Sequence, residues 1–104
     1  FLDVADVVDA YVCIIDRRAD LPVGAVFNVA SGTTVRIGDL LEQLLALSSV
    51  EITVHIDPDR LRPTPIPRVV GDATALRAQG WAPRTSLKTT LEQILADCRN
   101  RLGT

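Results

Sequence analysis

A chain of 104 residues with 47% hydrophobic content is one small domain at most, too apolar for disorder and near the lower size at which a core closes unaided. Eleven basic against thirteen acidic residues leave a net charge of −2, which excludes a general attraction for nucleic acid or an anionic membrane surface. Aromatics are only 4%, so the core has to be built from Val, Leu, Ile and Ala.

The first element is a helix. Val4, Val7, Val8, Tyr11, Val12 and Ile15 recur at helical spacing and form one apolar stripe running to about Arg18. Asp3 sits where an N-cap belongs, and Asp6 lies in the first turn, at the positive end of the helix dipole. Asp20-Leu21-Pro22-Val23-Gly24 is a turn. Ala25-Val26-Phe27-Asn28-Val29 is a nearly continuous apolar run, the pattern of a strand buried on both faces in a parallel sheet. Ala30 to Thr34 break it, and Ile37, Leu40, Leu41, Leu44 and Leu45 mark a second helix ending near Ser48-Ser49. Ile52 to Ile56 alternate and predict a second strand with Ile52, Val54 and Ile56 on its apolar face.

From Asp57 to Val70 the composition changes. Pro58, Pro63, Pro65 and Pro67 rule out a regular helix or a central strand and leave a stiff, extended loop carrying Arg60, Arg62 and Arg68. Gly71-Asp72 then caps a short helix from Ala73 to about Gln79, and Trp81-Ala82-Pro83 form a packed turn. The last helix starts after Thr85 or Ser86, with Leu87, Leu91, Ile94, Leu95, Cys98 and Leu102 on one face. The order is α/β, with about four helices and too few strands for a complete doubly wound sheet.

Much chemistry is absent. Gly24, Gly32, Gly38, Gly71, Gly80 and Gly103 include no close pair that could bring backbone against a pyrophosphate, so there is neither a dinucleotide fingerprint nor a P-loop. Cys13 and Cys98 are far apart and His55 is the sole histidine, which argues against a metal site and for reduced thiols in a cytoplasmic protein. His55 falls opposite the apolar face of its strand and is expected to be exposed, with no nucleophile beside it. No apolar run approaches the ~18–20 residues of a membrane span. The chain opens without an initiator Met, with Phe1-Leu2 running straight into a helix, and is expected to be a piece of something longer.

The proline-rich loop is the constellation that asks for an explanation. Ten of the eleven basic residues are Arg and only Lys88 is Lys, a skew that a GC-rich genome also produces. Asp57-Pro58-Asp59-Arg60-Leu61-Arg62-Pro63 holds two guanidinium groups on a stiffened backbone, able to meet a diphosphate bidentately at little entropic cost. The competing reading is a solvated connector whose arginines pair with Asp57 and Asp59, and composition alone favours it.

The same residues carry a resemblance. Phe1-Leu2-Asp3-Val4-Ala5-Asp6-Val7 resembles the opening of a late helix in nucleotide-sugar epimerases and dehydratases, and Phe27-Asn28-Val29-Ala30-Ser31-Gly32 is similar to their strand and loop. Asp57-Pro58, Arg62-Pro63, Gly71-Asp72 and Gly80-Trp81-Ala82-Pro83 resemble the family's tail in order and spacing, and suit the GDP-mannose dehydratase and GDP-4-keto-6-deoxymannose reductase branch best. The resemblance covers essentially the whole chain. It implies the C-terminal, substrate-binding portion of an extended short-chain dehydrogenase/reductase, a partial Rossmann-like α/β region with a small, mainly parallel sheet. It also implies that Arg62 contacts the nucleotide diphosphate, with Arg60 the lesser candidate. Pro65 stands where an acidic residue often assists, Ala75 where a basic residue is usual, and Arg36 where a Ser or Thr usually caps the second helix. The arginine that normally precedes Phe1 lies outside the chain.

The family's catalytic pair is a Tyr with a Lys four residues later. Here the only Tyr is Tyr11, followed at position 15 by Ile15, and the only Lys is Lys88. The resemblance therefore implies no catalytic and no cofactor-binding residue in this chain, the NAD or NADP of the parent enzyme being held elsewhere. Two readings follow: the substrate-side portion of a sugar-nucleotide enzyme, or a free-standing binding or assembly module descended from one. The expected partner is a nucleotide-sugar, and unpaired strand edges and apolar stripes predict a homodimer.

Overall fold

A computed structural model describes residues 1–63 and 67–103. It contains helices α1 (Val4–Arg17), α2 (Ile37–Leu47), α3 (Thr74–Ala78) and α4 (Leu87–Arg101), with single 3-10 turns at Arg18–Asp20 and Pro58–Arg60. Each expected helix is present within a residue or two of its predicted ends.

Local chemistry explains where they start and stop. Asp3 caps α1 by accepting from the Ala5 N–H at 2.8 Å, and Ser86 caps α4 by accepting from the Thr89 N–H at 3.2 Å, each satisfying one orphan donor of a first turn. Arg36 occupies the N-cap of α2 and makes no side-chain cap bond. At the far end of α2, Arg99 of α4 donates to the Leu47 carbonyl at 3.2 Å, supplying an unfilled acceptor and pinning the two helices together. Gly80 ends α3 at φ +97, a left-handed turn that lets its N–H reach the Arg77 carbonyl at 2.9 Å.

The core is small. Leu76 is fully buried, with Ala10, Ala73 and Trp81 around it and Leu2, Cys13, Ile14, Phe27 and Ala30 packed against the cluster. Ala10 and Cys13 mark the face of α1 that turns inward. The predicted stripe faces the other way: Val4, Val8, Tyr11, Val12 and Ile15 are each at least half exposed. That expectation is reversed because a stripe of large apolar residues is buried only where something covers it, and among the described residues nothing does.

The sheet is likewise not formed among the described residues. Residues 25–30 and 51–57 run without a ladder partner, and Val26 is 84% exposed where a strand buried on both faces was expected. Ile52, Val54 and Ile56 are also exposed. The result is a slab of 53 × 38 × 18 Å with a radius of gyration of 17.8 Å, against about 13 Å for a compact domain of this length. Its accessible surface of 8568 Å² compares with about 5,700 Å² for a compact monomer of the same mass.

Candidate functional site

The part of the slab best determined by its own bonds joins the first turns of α1 to the start of α4. Asp6 is 1% exposed, and its two carboxylate oxygens accept from the Arg84 N–H at 3.0 Å and the Thr85 N–H at 3.1 Å. Its carbonyl accepts from the Trp81 indole N–H at 2.9 Å, which gives the buried ring its polar partner. One turn earlier, Asp3 accepts from the Thr90 hydroxyl at 2.7 Å. The hydroxyl and the Ala5 N–H hold the Asp3 carboxyl below its ordinary value, because both stabilise the charged form. Sequence reasoning placed Asp6 only as a first-turn charge. The signal it missed was spacing: Asp6, Ala10 and Cys13 lie on one face, and two small residues in a row mark close approach.

The proline-rich segment opens on a local turn. Asp57 accepts from the Asp59 N–H at 3.0 Å and starts a one-turn 3-10 helix. Arg60 reaches back to it, Nε to Oδ2 at 3.3 Å, with both side chains largely exposed. That is the pairing of the connector reading, and an exposed pair of this kind contributes at most about 1 kcal/mol. Arg62 is exposed, and among the described residues it has neither an ion pair nor a side-chain hydrogen bond. The two arginines singled out by the sequence are thus neighbours in space but differ in state: one is held by a carboxylate, the other is not. Pro65, placed where an acidic residue often assists, lies outside the described residues.

The segment is anchored again at its exit. A Cβ on Gly71 would come within 2.5 Å of the Ala30 Cβ, so the two backbones pass as closely as glycine permits. Arg77 donates to the Ser31 carbonyl at 3.1 Å across the same junction. Asp72 accepts from the Thr74 N–H at 2.9 Å and from the Thr74 hydroxyl, and these bonds hold its carboxyl below the ordinary value. Ala73, and not the expected Asp72, occupies the N-cap of α3, without a side-chain bond. Ala75 is exposed. Between this exit and the start of α2 lies an open cleft of about 350 Å³, bordered by Phe1, Thr34, Arg36, Asp39, Arg68 and Val69.

Other chemistry-bearing residues stay apart. His55 is exposed, but so are Ile52, Val54 and Ile56 and no strand forms there, so its exposure does not follow from the predicted alternation. The half-buried Cys13 thiol donates to the Gln79 carbonyl at 3.5 Å, and Cys98 is exposed on α4. Among the described residues no group of three His, Cys, Asp or Glu converges on a metal-sized site, and no helix is long and apolar enough to cross a membrane.

The chain is similar to GDP-6-deoxy-D-mannose reductase of Pseudomonas aeruginosa, 37% identical over 103 residues, which is 98% of this chain and 33% of that protein. It is 34% identical over 93 residues to GDP-L-fucose synthase 1 of Arabidopsis thaliana, 89% of this chain and 27% of that one. Among solved structures it resembles RMD from Pseudomonas aeruginosa complexed with NADPH, with a TM-score of 0.83 and 36% identity over 97% of this chain and 32% of that chain. No family model matches. The chain spans about a third of the length of the relatives it matches.

Proposed function

The chain belongs to the extended short-chain dehydrogenase/reductases, aligned with about a third of the length of GDP-sugar reductases and synthases, and on that premise we propose that it is the substrate-side portion of such an enzyme. Its role is to hold the nucleotide end of a GDP-sugar or similar nucleotide-sugar while a separate cofactor-binding portion carries NADPH and the Tyr/Lys pair. The observation that carries this reading is the near-complete alignment of a chain that itself contains no Tyr with a Lys four residues on. The solved relative bears NADPH, which favours NADP over NAD for the parent enzyme. The exposed stripe of α1 and the unpaired segments 25–30 and 51–57 supply the surface on which the cofactor-binding portion packs, and there the two segments join its sheet. The parent works in the cytoplasm, where nucleotide-sugars and reduced thiols both belong.

Arg62 is the diphosphate contact, with Arg60 secondary because Asp57 already engages it. Calorimetric titration with GDP- and UDP-sugars tests this. Arg62→Ala should weaken binding by about 1.5–3 kcal/mol, the range for a hydrogen bond to a charged group, and Lys88→Ala should do little. Equal effects from the two variants would remove the assignment. The isolated chain should transfer no hydride with any nicotinamide cofactor, and hydride transfer by purified chain would overturn the substrate-side reading.

The slab shape favours one further reading. Its surface exceeds that of a compact monomer by roughly 2,800 Å², whereas a standard interface needs about 800 Å² from each partner. A stand-alone binding module with this face would close it against a second copy, as a symmetric homodimer. Light scattering over a dilution series distinguishes the cases: a compact monomer at high micromolar concentration contradicts self-association.

A further inference from the structure

Two apolar features of the chain lie side by side, and neither is covered among the described residues. The first is the outer face of α1, where Val8, Tyr11, Val12 and Ile15 are each at least half exposed. Their spacing is i, i+3, i+4 and i+7, the anchor pattern of a helix laid into a hydrophobic groove. The second is an open groove of about 580 Å³, lined by Leu40 and Leu44 of α2 and by Leu87, Leu91 and Ile94 of α4. Phe1 and Leu2 also border it, so the groove adjoins the first turn of α1. The charges beside the two features are opposite. At about 100° per residue, Asp9 and Asp16 fall on one flank of the α1 stripe, both exposed and without an ion pair among the described residues. Val35 belongs to the groove lining, and the next residue, Arg36, is an exposed cation that likewise has no ion pair among them.

We propose that the groove between α2 and α4 receives the α1 stripe of a second copy of this chain, the two copies making the contact reciprocally. The pairing requires an α1 that no cofactor-binding portion covers, so it rests on the stand-alone reading above. Groove and stripe meet at residues 1–4, and a two-fold axis beside that junction seats each stripe in the other copy's groove. The contact then closes at two copies, whereas the same contact made head to tail would leave a stripe and a groove open and keep growing. The incoming helix brings its acidic flank toward Arg36, and this complementarity selects one direction of the helix in the groove. Stripe packed on stripe would cover α1 and leave the groove in water; reciprocal docking covers both. The surface exposed beyond that of a compact monomer, roughly 2,800 Å², accommodates an interface that needs about 800 Å² from each copy.

Light scattering on the full 104-residue chain over a dilution series tests the pairing. Val12→Glu disables the stripe, and Ile94→Glu, at a side chain 53% exposed, disables the groove. Circular dichroism and urea midpoints should match the unsubstituted chain for both. Each variant alone should raise the dissociation constant at least about a hundredfold, since both contacts of its homodimer would bury an unpaired charge. An equimolar mixture of the two should recover dimer, because the intact stripe of the Ile94→Glu copy meets the intact groove of the Val12→Glu copy. Amide NMR shifts of the unsubstituted chain on dilution should move residues 8–15 together with 40–44 and 87–94, which decides the case even where a substitution unsettles the fold. If Val12→Glu abolishes the dimer while Ile94→Glu dimerises as the unsubstituted chain does, or if the dilution shifts are confined to α1, the groove assignment falls and the stand-alone reading survives. Mass that grows past two copies overturns the closed pair. A monomer throughout, up to high micromolar concentration, overturns the pairing and the stand-alone reading together.

Discussion

The two faces of α1 behave as if they belonged to different proteins. The inner face carries Asp6, Ala10, Cys13 and Ile14, modest in hydrophobicity, and packs on Leu76 and Trp81 with hydrogen bonds that reach the start of α4. The outer face carries Val4, Val8, Tyr11, Val12 and Ile15, far more apolar, and is open to water. Hydrophobic patterning reports which face needs cover, and it is silent on whether the same chain supplies it. The inner face is instead fixed by small residues that allow close approach and by one carboxylate with two matched donors. Stability resides on the weaker-looking side, while the stronger-looking one is left open to water.

Substitutions on the two faces should therefore separate cleanly. The largest effect is expected at the inner cluster: Leu76→Ala should cost about 2–5 kcal/mol through lost burial and a residual cavity, read from urea midpoints. Val8→Ala on the outer face should change stability by no more than about 0.5 kcal/mol, and equal losses at the two sites would erase the distinction. Next, Asp6→Ala strands the Arg84 and Thr85 N–H groups and should cost about 2–4 kcal/mol, while Asp9→Ala, one turn along and exposed, should be near neutral. Asp6→Asn should fall between, because an amide offers one acceptor oxygen where the carboxylate offers two.

A polar pair on the outer face, Val8→Glu with Tyr11→Lys, should leave the urea midpoint nearly unchanged and abolish any concentration-dependent mass seen by light scattering. The smallest effect concerns pH. Asp3 and Asp72 have folded carboxyls held below the ordinary 3.8, so their contribution to stability is full above that value. It fades only as pH falls through the lowered folded values. Thr90→Val should return Asp3 toward 3.8, measurable in the carboxyl carbon shifts, and should shift the onset of acid unfolding upward slightly.

How much of this was legible beforehand follows from which forces act locally. The helices were, because caps and apolar period are written within each segment: Asp3, Ser86 and Gly80 all act as their residue types predict. The strands were not. Residues 25–29 read as buried strand because their composition suits a sheet interior, yet a strand needs a neighbour's N–H and C=O groups, and among the described residues nothing pairs with them. At the site, the sequence singled out Arg60 and Arg62 together; only the fold separates Arg60, held by Asp57, from Arg62, which has no such partner among the described residues. Arg36 was visible as a departure at a helix cap, and Arg68 as one more charge in a loop. Their sharing of one cleft depends on a meeting of segments that spacing along the chain does not encode.

The Asp6 carboxylate also sets a clock. Its donors at Arg84 and Thr85 lie 78 and 79 residues further along the chain. On a ribosome adding about 5–20 residues per second, α1 emerges several seconds or more before the backbone that completes it. During that interval its inner face has no Trp81 to cover Ala10, and Asp6 has only water to accept from. Contacts this distant in sequence close late and slowly, so α1 is secured well after it is made.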